Sequence, residues 1–74
     1  MNEIKKYDIL CCVNEKDSHF LKFCKVDSIE YDDSYPTVIK SVTVCYENET
    51  ITYKALDMEY NFIVVKGIPL IFNY

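Results

Sequence analysis

The chain contains no arginine, no tryptophan and no glutamine, and only one glycine and one alanine. Each gap weighs against a class of function. Arginine's planar fork reads guanine edges and grips phosphates through paired bonds. Its absence from a 74-residue chain of net charge −4 argues against duplex DNA or RNA as a partner. The single glycine, Gly67, leaves no glycine-rich loop to cradle a phosphate. With one histidine, His19, and no arginine, the usual equipment for acyl or phosphoryl transfer is missing, and catalysis is not expected. The four cysteines contain no C-x-x-C pair, the spacing that marks many zinc sites, so neither a metal nor another cofactor is expected. No apolar run approaches the ~20 residues of a membrane span, because Lys66, Gly67 and Pro69 interrupt the runs at 62–65 and 68–72. The charged start Met1-Asn2-Glu3-Ile4-Lys5-Lys6 and the short run 9–13 do not resemble a secretory signal. The expected location is the cytoplasm, of a cell or an infected host, where the thiols stay reduced.

What is present is apolar and β-forming. Half of the residues are hydrophobic and 15% are aromatic, yet a chain of this size buries only about 60% of its unfolded surface. A small core of this kind supplies roughly 3–5 kcal/mol, so surplus apolar surface points to a second copy or another partner. Lys, Asn, Ile, Tyr and Phe are plentiful where Gly, Ala and Arg are scarce, a bias that an A/T-rich genome such as that of many bacteriophages produces.

Alternation organises the chain into strands. Tyr7, Ile9, Cys11 and Val13 alternate with Asp8, Leu10, Cys12 and Asn14, and Cys11 fits an inner row with Ile9 and Val13. Residues 14–18 read as a turn, and 19–31 as a long strand that changes phase midway. Leu21 and Phe23 share one parity, Cys24 and Val26 the other, and Ile29 and Tyr31 return to the first, as a bulge would produce. Asp32-Asp33-Ser34-Tyr35-Pro36 is a turn, and Ile39 is out of phase with the strand that follows. Val42, Val44 and Tyr46 then face Ala55, Tyr53 and Ile51 if the chain folds back at Asn48-Glu49, which puts every apolar side chain on one surface. Residues 57–61 suggest one short helical turn, 62–66 a fifth strand, and 70–74 a sixth after the Gly67–Pro69 corner. The expected fold is a single all-β domain. It is either a small five- or six-stranded antiparallel barrel, SH3-like or OB-like, or a strongly bent open sheet that oligomerises.

Chemistry-bearing residues are few. Adjacent strand residues point to opposite faces, so Cys11 and Cys12 read as small buried hydrophobes. His19, beside Asp17 and Ser18, reads as an exposed polar residue at a strand start. Tyrosines and turn carboxylates make the better case, since tyrosine offers rigid contact area with a polar tip. The candidate partner-binding set is Tyr31, Asp32, Asp33, Tyr35, Asp57, Glu59, Tyr60 and Tyr74. The function expected from these residues is a non-catalytic, homo-oligomeric binding protein, such as a bacteriophage accessory protein that occludes a host enzyme or defence protein. Three alternatives stand beside it. They are an oligomer that sequesters a nucleotide, a single-strand-binding barrel using Lys22, Lys25, Lys40 or Lys54, and a minor virion component.

Overall fold

The computed structural model describes residues 4–65, which form one antiparallel sheet and one short helix. The elements are β1 (Ile9–Cys12), β2 (Phe23–Tyr31), β3 (Ile39–Cys45), β4 (Thr50–Lys54), α1 (Ala55–Asn61) and β5 (Phe62–Val64). Across the sheet the order is β4-β3-β2-β1-β5. The first four strands form a meander, and α1 carries the chain from one edge to the other. The sixth strand expected at 70–74 lies outside the described residues.

That crossing imposes a shape. In a flat five-stranded sheet the edge strands stand roughly 19 Å apart, four spacings of about 4.8 Å. The seven residues of α1 rise only about 10 Å. The sheet must therefore curl until its edges approach. Tyr53 of β4 and Phe62 of β5 meet edge-to-face with ring centroids 5.0 Å apart. Bulges supply the curvature. Asp27 is unpaired between the pairs Val26–Val44 and Ser28–Thr43, and Lys40 is the extra residue between Glu30–Ser41 and Tyr31–Ile39. These two positions account for the phase change in 19–31 and for Ile39. The expected barrel does not form, however, because β4 and β5 do not pair and the sheet is open. α1 packs against β3, β4 and β5.

Helix α1 forms because Ala55, Leu56, Met58 and Glu59 favour helix and Asp57 sits in its first turn, where a negative charge suits the macrodipole. It ends where Phe62 turns extended and donates its backbone N–H to Met58 C=O. The Asn61 side-chain amide donates to Asp57 C=O at 2.6 Å and satisfies another terminal carbonyl. Met58 is the helix's one buried residue. It reaches a core built from Ile4, Leu10, Cys12, Cys24, Val26, Val42, Val44 and Phe62. No buried polar or charged residue occurs among the described residues.

Two expectations need correction. Ile9, Cys11 and Val13 are not the inner row of β1. Leu10 and Cys12, each 0% exposed, hold that place, because Leu10 pairs with Cys24 and Cys12 with Phe62 on the covered face. Both parities of this strand are apolar, so alternation cannot choose between them. The β3–β4 register also differs. Val44 faces Ile51 and Val42 faces Tyr53, while Tyr46 N–H closes the ladder on Glu49 C=O at 2.8 Å. The turn thus centres on Glu47-Asn48, one residue earlier than expected, and Ala55 belongs to α1 instead of pairing with Val42. This two-residue slip leaves every side chain on its expected face, so a period of two carries no information about it. Thr43 and Thr52, paired across the strands, join hydroxyls at 2.8 Å in the observed register.

Met58→Ala is expected to cost about 2–5 kcal/mol, comparable with the whole stability of so small a core. Urea titration should show a largely unfolded variant, whereas Met58→Leu should lose under about 1.5 kcal/mol.

Candidate interaction surface

The face of the sheet opposite α1 divides into two halves. Across β2, β1 and β5, Phe23, Cys11 and Ile63 stand side by side as register partners. Ile9 stands next along β1, opposite Lys25 and bonded to Val65, whose N–H reaches Ile9 C=O at 2.9 Å. Val13 continues the same parity at the other end. Ile63 is 53% exposed, and Val13 and Phe23 are also on the surface. On β3 and β4 the same face carries Ser41, Thr43, Thr50, Thr52 and Lys54. One half of the outer face is thus apolar and the other hydroxyl-rich.

Two left-handed residues frame the β1–β2 ladder. Lys22 N–H donates to His19 C=O at 2.8 Å, closing a turn whose third residue, Leu21, has φ 66°. Cys12 then faces two residues, donating to Lys22 C=O at 3.0 Å and accepting from Leu21 N–H at 2.8 Å. The other end repeats the device. Asp8 N–H closes on Lys5 C=O at 3.0 Å, the third residue Tyr7 has φ 74°, and Val26 bonds to both Tyr7 and Asp8. Each is a bulge whose first position normally belongs to glycine. A side chain there costs about 1–2 kcal/mol. Leu21 is 62% exposed and Tyr7 65% exposed, so burial does little to offset that strain.

His19 closes the core at the Leu21 end. Its ring stacks on Tyr46 with centroids 4.1 Å apart and planes 21° apart. Nδ1 lies 3.0 Å from Asp17 Oδ1, and Nε2 bonds to Glu49 Oε1. Asp17 Oδ1 also accepts the His19 backbone N–H at 2.8 Å. The hydrogen bond to Asp17 raises the His19 pKa above its ordinary value, and Glu49 adds to it. The His19 backbone N–H holds the Asp17 carboxyl below its usual range. The expectation of an exposed polar strand start therefore fails, because His19 lies in the β1–β2 connection and bridges two carboxylates. Beneath it, the Tyr46 hydroxyl is buried with no hydrogen-bond partner among the described residues, and burial pushes its pKa up. Burial also pushes the Cys24 thiol up to about 12 and raises Cys11. Both thiols remain protonated near neutral pH. No group of three metal-ligating side chains occurs among the described residues.

The residues expected to bind a partner fall elsewhere. Tyr31, Asp32, Asp33 and Tyr35 cluster around the β2–β3 turn, where Asp32 Oδ1 accepts the backbone N–H groups of Ser34 and Tyr35 at 2.8 and 3.1 Å. Asp32 therefore shapes the turn itself. Asp57, Glu59 and Tyr60 lie exposed on α1. Of these residues only Glu59 lines a groove, one of about 250 Å³ walled by Val38 and Leu56 as well, over Ile4 and Met58. Tyr74 is outside the described residues. Of the lysines considered for phosphate contact, Lys40 is paired with Glu30 at 3.3 Å.

Sequence reasoning missed Leu21, Val13, Ile63 and the His19 cluster. A signal for the outer apolar half exists in β1, which is apolar on both parities and runs on into Val13; none marks the left-handed Leu21. None exists for the bond between His19 and Glu49, thirty residues apart. No protein-family model matches the chain, and neither the curated proteins nor the solved structures contain a match to it. No helix among the described residues is long and apolar enough to cross a membrane.

Leu21→Gly should relieve the left-handed strain at the cost of extra freedom in the unfolded chain, a net gain of up to about 1 kcal/mol. Thermal unfolding should show an unchanged or raised midpoint.

Proposed function

We propose that this protein is a non-catalytic binding module that engages a protein partner through the apolar half of its outer sheet face, around Val13, Leu21 and Ile63. The observation that carries this reading is Leu21, an exposed leucine held where glycine would fold better. Strain of this kind persists where surrounding structure enforces it, and it concentrates at functional positions. Val13 and Ile63 are exposed as well, so a partner gains apolar contact without the module repacking. A folded protein suits this surface better than nucleic acid, given the absence of arginine and the net charge of −4.

Two observations support a role without catalysis. Both ring nitrogens of His19 are engaged by carboxylates, so neither is free to take a proton from a substrate. The raised Cys24 and Cys11 thiols are poor nucleophiles. The residue usage fits an accessory protein of a bacteriophage, and occlusion of a host enzyme or defence protein is the concrete form of action we favour. The groove beside α1, lined by Val38, Leu56 and Glu59, offers a second contact for the same partner.

Capture from host lysate, followed by reconstitution with the purified captured protein, tests this reading. Hydrogen exchange on the reconstituted complex should show protection at β1, β5 and residues 20–23. Leu21→Gly and Ile63→Lys should each weaken binding about tenfold or more while remaining folded. Unchanged affinity in both folded variants, or protection confined to the polar half, would falsify the assignment.

A further inference from the structure

The His19 cluster ties together two segments that are far apart in sequence. Asp17 and His19 belong to the β1–β2 connection, and Tyr46 and Glu49 are the closing pair of the β3–β4 turn. Neutral imidazole has one N–H, yet here each ring nitrogen faces a carboxylate oxygen. The arrangement therefore requires the imidazolium, with Nδ1–H donating to Asp17 and Nε2–H to Glu49. His19 also supplies the carbonyl that closes the turn holding Leu21 in its left-handed conformation.

We propose that His19 is a pH-operated latch, which when protonated fastens the Leu21 turn to the β3–β4 turn and when neutral lets the two part. The proposal deepens the binding reading above and rests on it only for its biological use. On proton loss one carboxylate must be given up. Asp17 is the one retained, since it also holds the His19 backbone N–H. Glu49, half-exposed and contributing a single ring contact, is released. The charged and titratable groups around the ring are Asp17 on its own segment, Glu47 and Glu49 in the β3–β4 turn, Tyr46 of the same closing pair, Tyr53 on β4 and Lys22 at the head of β2. His19 itself is the side chain whose ordinary value puts its charge change between pH 5 and 8. A groove of about 530 Å³, lined by His19, Lys22, Tyr46 and Glu47 among others, lies beside this contact, so parting the turns opens space that already exists.

The sign follows from the direction of each shift. His19 is raised, so its stabilising contribution is complete below its unfolded value of 6.5 and fades as pH rises through the higher folded value. Asp17 is lowered, so its contribution is present above 3.8 and fades only as pH falls through its depressed folded value. The latch is closed between these limits and opens on the alkaline side.

Nuclear magnetic resonance on the free, uniformly labelled chain tests this without any partner. The imidazole should titrate with a midpoint above 6.5, carrying protons on both nitrogens below it. Amide signals of Leu21, Lys22 and residues 46–49 should move with that same midpoint. Glu49→Gln, a change at an exposed turn position, should lower the midpoint and abolish the response at 46–49. A midpoint at or below the ordinary value overturns the latch, as do turn amides that ignore the titration or a Glu49→Gln variant that titrates like the parent. Because no partner is involved, failure here is distinct from failure of Ile63→Lys to weaken binding.

Discussion

A seven-residue helix bridging the two edges of a five-stranded sheet is the constraint from which the rest of this structure follows. It forces the sheet to curl, and the curl concentrates bulges at Asp27, Lys40, Tyr7 and Leu21. The edges nevertheless stay unpaired, so the sheet remains open. The concave face is then lined on one side by strand residues and filled on the other by Met58 and Ile4. A longer helix would allow a flatter sheet with less shelter for its inner face. One short helix covers one face only. Among the described elements, nothing comparable packs across the outer face.

That one-sidedness gives the outer apolar half its meaning. Isolated exposed hydrophobic residues are ordinary on any protein surface. Here, though, Phe23, Cys11 and Ile63 are adjacent across three strands, and the opposite half of the same face is built of threonine, serine and lysine. A sheet tuned only for solubility would have no reason to divide this way. The covered face shows how little tolerance the small core has for polar groups, with the Tyr46 hydroxyl as its one unpartnered buried side-chain atom among the described residues. Tyr46 nevertheless gives His19 a flat ring to stack on, which a smaller residue would not.

Much of this was legible in the sequence, and the misses have physical causes. The strands, the slip within β2, the irregularity at Ile39 and the short helix after β4 all follow from patterns of two and from turn residues. Curvature was legible too, because bulges leave phase errors. Closure was not, since whether two edges meet depends on what lies between them. The inner parity of β1 was hidden because Leu10 and Cys12 are no more apolar than Ile9 and Val13, and only the pairing with Cys24 and Phe62 decides. For the expected binding residues, exposure at the β2–β3 turn and on α1 is visible in composition, but that Glu59 alone of them lines a groove is a tertiary fact.

The β3–β4 register shows most clearly how a distant contact decides a local one. Alternation permits a turn at Glu47-Asn48 or at Asn48-Glu49 equally, for both keep Val42, Val44, Ile51 and Tyr53 inward. In the observed register Tyr46 and Glu49 are the closing pair, bonded through Tyr46 N–H. His19 touches both of them, stacking on the ring of one and bonding to the carboxylate of the other. Moving the turn centre by one residue would re-pair Tyr46 with Ile51 and take Glu49 out of the closing pair into the loop. His19 would then have to choose between its stacking partner and its ion pair. The choice between two registers of equal hydrophobic merit thus falls to a histidine on another hairpin, and the backbone carbonyl of the same residue closes the turn that keeps Leu21 left-handed. Hairpin register and surface strain meet in one residue, the first through its ring and the second through its carbonyl.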